Sequence, residues 1–165
     1  MSKVVLDSSA IIALSQLRYW KYLNQILDEI LVPHAVFEEI CVKGRGLPGD
    51  AELRRLLNEG LVTVRKIRNR VLVDALLDPL ALGEAEVLAL AIEENADYVV
   101  IDDKMARVRA RNMGLKVIGT LRILRMIFDA KLIDKNEFIR ALETLKNIGF
   151  RISDKIIERV KQELD

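Results

Sequence analysis

Asp7 closes the apolar run Lys3-Val4-Val5-Leu6, and Asp102-Asp103 closes a second one, Tyr98-Val99-Val100-Ile101. A lone Asp in such a place is an ordinary helix cap, its carboxylate accepting from backbone N–H groups of the next turn. Acids at two strand ends suggest more, because the ligand crevice of an open α/β sheet lies beyond the carboxyl ends of its strands. Two Glu-bearing segments enlarge the set. In Val32-Pro33-His34-Ala35-Val36-Phe37-Glu38-Glu39-Ile40, Val36 and Ile40 share a helical face and one of the paired Glu residues lies beside it. Leu82-Gly83-Glu84-Ala85-Glu86 then opens a segment that is almost wholly apolar to Ala91. So apolar a helix is buried, and a Glu in its first turn sits at the positive end of the helix dipole. Glu84 is expected to point inward, with Glu86 as a solvated neighbour. Carboxylates gathered at one crevice repel one another and call for a compensating cation. Oxygen donors with no His or Cys among them suit Mg²⁺ or Mn²⁺.

The elements that would position these acids follow from periodicity. Short β-branched runs fall at Val4 to Leu6, Ile30 to Val32, Val62 to Val64, Tyr98 to Ile101 and Val117 to Ile118, mostly separated by stretches of helical spacing. Strands alternating with helices predict a three-layer α/β/α fold on a mainly parallel twisted sheet, since parallel neighbours need a crossover connection. Ser8 and Ser9 are expected to cap the first helix, Pro33 to open a first helical turn, and Asp50 to precede a helix from Ala51 to Asn58. Beyond Thr120 the pattern is helical, over Leu121 to Ala130, Asn136 to Ile148 and Ser153 to Leu164. Residues 1–130 are read as the domain that carries the acids. Residues 131–165 are read as helices that pack on it or form an interface.

Taken in order, these pieces resemble the PIN-domain nucleases. The resemblance rests on the strand ending in Asp7-Ser8-Ser9, the Val-Pro-x-x-Val-x-x-Glu segment ending at Glu39, Leu82-Gly83-Glu84-Ala85-Glu86, and Val100-Ile101-Asp102-Asp103. Gly114 to Thr120 matches a further Gly-Leu-x-Val-Ile-Gly-Thr segment of the prokaryotic branch. The resemblance implies a divalent-metal-dependent ribonuclease with Asp7, Glu39, Glu84 and Asp102 or Asp103 as its acids. Asp7, Glu84 and the Asp pair would hold Mg²⁺ or Mn²⁺, with Glu39 completing the shell and Ser8 or Ser9 helping to orient the metal or its water. Many members carry Asp where this chain has Glu84, and the Glu38-Glu39 and Asp102-Asp103 doublets each leave two alignments open. The resemblance also implies products with 5′ phosphate and 3′ hydroxyl ends. It further implies the toxin half of a toxin/antitoxin pair of the VapC type, a homodimer with an antitoxin partner.

Composition narrows the field without naming a partner. Net charge is +1, yet Lys104 to Arg125 carries seven Lys or Arg and no Asp or Glu. Arg107 and Arg111, four residues apart on one helical face, are the pair expected to meet RNA phosphates. The apolar runs end well short of the ~20 residues of a membrane-spanning helix, so a cytoplasmic protein is expected. Cys41 is the single cysteine and is read as a reduced, partly buried thiol. His34, the single histidine, is read as a surface residue at a helix start, and Tyr19 and Trp20 as core or oligomer contacts. Two competing readings are a non-catalytic RNA- or protein-binding module on a PIN-like fold and a receiver-like phosphoacceptor. The receiver pattern wants an acidic doublet after the first strand, where this chain has Ser8-Ser9.

Overall fold

The computed structural model describes residues 2–163. Among these residues five parallel strands form the sheet: β1 (Lys3–Leu6), β2 (Glu29–Pro33), β3 (Thr63–Arg65), β4 (Tyr98–Val100) and β5 (Val117–Ile118), in the order β3-β2-β1-β4-β5. Val5 pairs with Leu31 on one side and Val99 on the other, so β1 is central. Its Val4, Val5 and Leu6 are all fully buried, which explains a run apolar at successive positions: a strand covered on both faces has no solvent side.

Among the described residues, ten α-helices connect and cover the strands: α1 (Ser8–Leu17), α2 (Trp20–Ile26), α3 (His34–Phe37), α4 (Asp50–Asn58), α5 (Arg70–Leu76), α6 (Leu82–Glu93), α7 (Lys104–Asn112), α8 (Thr120–Asp129), α9 (Lys135–Asn147) and α10 (Asp154–Glu163). Apolar α6 lies across β1, β2 and β4 between α3 and α5, while α1, α2, α8 and α9 pack on one another as the second layer. Stacked Phe128 and Phe138 rings, 5.0 Å apart, tie α8 to α9, and α10 packs on α9. The chain runs outward from β1 to β2 and β3, then returns through α5 and α6 to place β4 on the other side of β1. The direction of winding therefore reverses between β1 and β4, and a crevice opens there at the carboxyl ends.

Several local expectations are corrected. Pro33 ends β2 as an extended residue instead of opening the helical turn, which begins at His34. Asp50 is the first residue of α4 rather than its predecessor. Neither Ser8 nor Ser9 caps α1; Asp7 does, accepting from the Ser8 N–H. Helices α2 and α5 were not legible as separate elements, being only two turns each. Leu164, the expected end of the last helix, lies outside the described residues. Trp20 is buried and donates its indole N–H to Ser15 Oγ at 2.9 Å, as a core residue.

Candidate active site

The reversal between β1 and β4 decides which acids meet. Asp7 follows β1 directly and donates its backbone N–H to Val100 of β4, so it stands at the mouth of the crevice. The residue is only 7% exposed. Burial raises its pKa; the Ser8 N–H opposes that, and repulsion from Glu84, Glu39 and Asp102 adds to it. The balance pushes Asp7 up to about 7. Four carboxylates, contributed by the ends of two strands and the first turns of two helical segments, are thus felt at one point.

Glu39 is aimed by an irregularity in its helix. After α3 the backbone widens into a π-helical turn over Glu38–Lys43, a feature that recurs where a side chain must be redirected for function. Glu38 is exposed and turns outward to half-buried His34, 2.8 Å away. Glu39 turns inward, and its Oε2 accepts from the Ser8 hydroxyl at 2.6 Å. The doublet left open by the sequence is resolved in position: Glu39 faces the crevice and Glu38 faces solvent. Across from it lies the first turn of α6, where Gly83 leaves the space that Glu39 fills. A Cβ at Gly83 would come within 2.1 Å of Glu39 Oε1.

Glu84, one residue on, is half-buried and accepts from the Ala81 N–H at 3.2 Å. Burial raises its pKa, with repulsion from Asp103 and Glu39 acting in the same direction. Asp102 is held by the start of α8, accepting from the Thr120 N–H at 2.9 Å and from the Thr120 hydroxyl. Asp103 is exposed and caps α7 through the Ala106 N–H. In the sequence Thr120 is only the last residue of the Gly114 to Thr120 segment; its role as the support of Asp102 needs β5 to end beside β4.

Glu86 corrects the sequence reading. It is 4% exposed, not solvated, and its two oxygens accept from the Ala35 N–H at 2.9 Å and from Arg70 at 2.7 Å. Buried Asp50 is likewise paired, with Arg54 at 2.7 Å, and the Gly46 N–H and that guanidinium hold it below the usual carboxylate range. The contrast is informative. Where the fold buries a carboxylate for structure it supplies an Arg. At the crevice, among the described residues, no Lys or Arg pairs with Asp7, Glu39, Glu84, Asp102 or Asp103. An uncompensated group of oxygen donors fits a hard divalent cation. Among the described residues no three acidic, His or Cys side chains converge into a complete ligand set by themselves. Mg²⁺ asks for less, since it keeps several waters and takes one or two carboxylates.

Of the remaining expected residues, exposed Ser9 lines a cleft beside Asp102 and Asp103, and so does Arg107. Arg111 is exposed in the last turn of α7, outside that cleft.

Gly83→Ala tests the packing of Glu39. The added methyl must displace the carboxylate from Ser8, and a misplacement of about 1 Å costs roughly 100-fold in rate. The helix itself gains, because Gly83 has no positive φ and Ala at such a position stabilises by about 0.4–1 kcal/mol through the unfolded chain. The expected outcome is a melting temperature equal to or above the parent's with a large loss of whatever activity the crevice has; activity within twofold of the parent would refute the placement of Glu39.

A family model described as a PIN domain matches residues 3–165. No curated protein matches the sequence. Among solved structures the fold is similar to that of a PilT N-terminus domain protein from the hyperthermophilic archaeon Sulfolobus solfataricus. The TM-score is 0.51 and the identity 17%, over 75% of this chain and 92% of that one. At that identity the likeness speaks for the fold.

Proposed function

This chain belongs to the PIN-domain family, a nuclease-type fold, and from that premise we propose that it is a divalent-metal-dependent endoribonuclease. The observation that carries the reading is the buried, unpaired Asp7 at the point where the sheet reverses, with three other carboxylates pressing on it. Asp7 and Asp102 would offer oxygens from the two strand ends, Glu39 and Glu84 from the helical side, and Asp103 from the rim. A bound Mg²⁺ or Mn²⁺ supplies Lewis acidity that lowers the pKa of a water and polarises the phosphodiester. The protein's own part is positional. Ser8 fixes Glu39, Thr120 fixes Asp102, and the buried β1 holds Asp7 where water is largely excluded.

Hydrolysis in line then joins the water oxygen to phosphorus and releases the 3′ oxygen, leaving 5′ phosphate and 3′ hydroxyl ends. The bare crevice is repulsive to phosphate, so the cation must be in place before RNA approaches. The resemblance extends the proposal to a cytoplasmic toxin that forms a homodimer and is silenced by an antitoxin. No helix among the described residues is long and apolar enough to cross a membrane.

The test is cleavage of an end-labelled single-stranded RNA by purified protein with Mg²⁺, Mn²⁺ or EDTA, repeated with Glu38→Gln and Glu39→Gln. Cutting that needs the metal, survives in Glu38→Gln and falls at least about 100-fold in Glu39→Gln is the expected pattern. Folded parent protein that cuts with neither metal would move the reading to a PIN-like module that binds without catalysis.

A further inference from the structure

The crevice continues sideways into a cleft of about 680 Å³, a volume in the range of ligand sites. One wall is the catalytic side, with Ser9, Asp102 and Asp103. The other is made by residues 148–152, the loop joining α9 to α10. The C-terminal helices thus reach back to the acids through this loop.

The loop is built to hold one conformation. Gly149 has φ +108°, a backbone state that L side chains rarely adopt, and its N–H donates to Lys146 O. The Phe150 N–H donates to Leu145 O at 3.0 Å and the Ile152 N–H to Phe150 O at 2.9 Å. Phe150 packs against the core and Ile152 is buried within it, so Arg151 between them is fixed at its backbone and exposed at its side chain. Arg151 lines the cleft together with Lys104 and Arg107 of α7. Among the described residues none of these three cations has an ion-pair partner. Arg107 also reaches over Gly119, where a Cβ would meet both its Nη1 and Asp102 Oδ1, so the basic and acidic walls adjoin.

We propose that Arg151, with Lys104 and Arg107, forms a phosphate-binding subsite that seats the RNA backbone beside the scissile bond. The proposal deepens the nuclease reading and rests on it. Guanidinium groups suit phosphate because their planar fork matches its oxygens, and such contacts set register without reading sequence. The leftover cations in the cleft are the counterpart of the leftover anions in the crevice: one set waits for phosphate, the other for the metal.

Two measurements test it. In steady-state cleavage of a labelled single-stranded RNA with Mn²⁺, Arg151→Ala should raise KM about 10-fold with kcat within about twofold, and Arg151→Lys should fall between. In fluorescence anisotropy with the same RNA, Asp7→Asn/Arg151→Ala should bind about 10-fold more weakly than Asp7→Asn, with the slope of log affinity against log salt reduced by about 1. Arg140→Ala, which removes an exposed charge from α9 beside Tyr19 and Tyr22, is the matched control and should change neither quantity. Equal KM and equal affinity for the Arg151→Ala and Arg140→Ala proteins would overturn the subsite. A parent protein that cuts no RNA would defeat the nuclease reading instead, and anisotropy would still decide whether the cleft holds the backbone.

Discussion

Replacing Asp7 with Asn is expected to lower the rate of metal-dependent RNA cleavage at least about 100-fold while making the metal-free protein more stable at pH 8. Both halves follow from one geometry. Asp7 is the most enclosed of the crevice acids and the one on which repulsion from the others converges, so its charge is what a cation would feel most. Asn keeps the shape and can still accept from the Ser8 N–H, so α1 retains its cap. It removes a charge that the fold buries without an Arg. Where Glu86 has Arg70 and Asp50 has Arg54, Asp7 has only neighbours of its own sign. A gain of up to about 10 °C in melting temperature accompanies the loss of rate, if the full penalty of burying the charge is relieved. Thermal melts in EDTA and initial rates in Mn²⁺ read the two effects separately. A variant that is inactive and also less stable would mean that Asp7 holds the fold together, and the argument for a strained site would fail.

A second large effect is the pH dependence of the metal-free protein. The unfolded chain releases the Asp7 proton near 3.8, the native state near 7. Below about pH 4 the group is protonated in both states and contributes nothing to the difference. As pH rises from 4 to 7, the unfolded state ionises first and native stability falls. Above about 7 both are ionised and the penalty is complete, at most about 4 kcal/mol. Asp50 acts with the opposite sign, since its lowered pKa gives stability that is lost as pH falls below the usual carboxylate value. Chemical denaturation in EDTA should therefore show maximum stability near pH 4 and a decline toward pH 8. Added Mn²⁺ should reverse that decline, and do so more at pH 8 than at pH 5, because a protonated Asp7 cannot serve as a ligand. A metal-free protein equally stable at pH 5 and pH 8, or one that Mn²⁺ stabilises equally at both, would contradict the account.

The tension between the two states of the crevice explains why activity and stability should separate here. A site that must attract a cation has to remain unsatisfied until the cation arrives, and the native fold tolerates this only because β1 and α6 are so thoroughly buried around it. The structural carboxylates show the alternative outcome, full satisfaction by Arg and backbone N–H groups.

What the sequence determined by itself was the set of elements and the chemistry available to them. Alternation of apolar strands with helical stretches, Asp7 and Asp102 at strand ends, and Glu84 in the first turn of an apolar helix are local patterns, and local patterns survive folding because spacing dictates which face a residue occupies. Trp20, expected in the core or at an oligomer contact, is buried in the core, and His34, expected at the surface of a helix start, opens α3 half-buried. What the sequence left open were choices between adjacent positions and contacts between distant ones. Glu38 and Glu39 differ only in how a π-helical turn directs them, and that turn is set by packing. Glu86 read as solvated because its partner Arg70 lies in α5, an element too short to leave a clear signal. Thr120 ends a motif whose purpose the sequence does not show, and Arg151 belongs to none; they gain meaning only when β5 ends beside β4 and the α9–α10 loop folds back onto α7. The order of strands in the sheet decided those meetings, since it put the reversal of winding between β1 and β4 and so brought residues 7, 39, 84 and 102 to one opening.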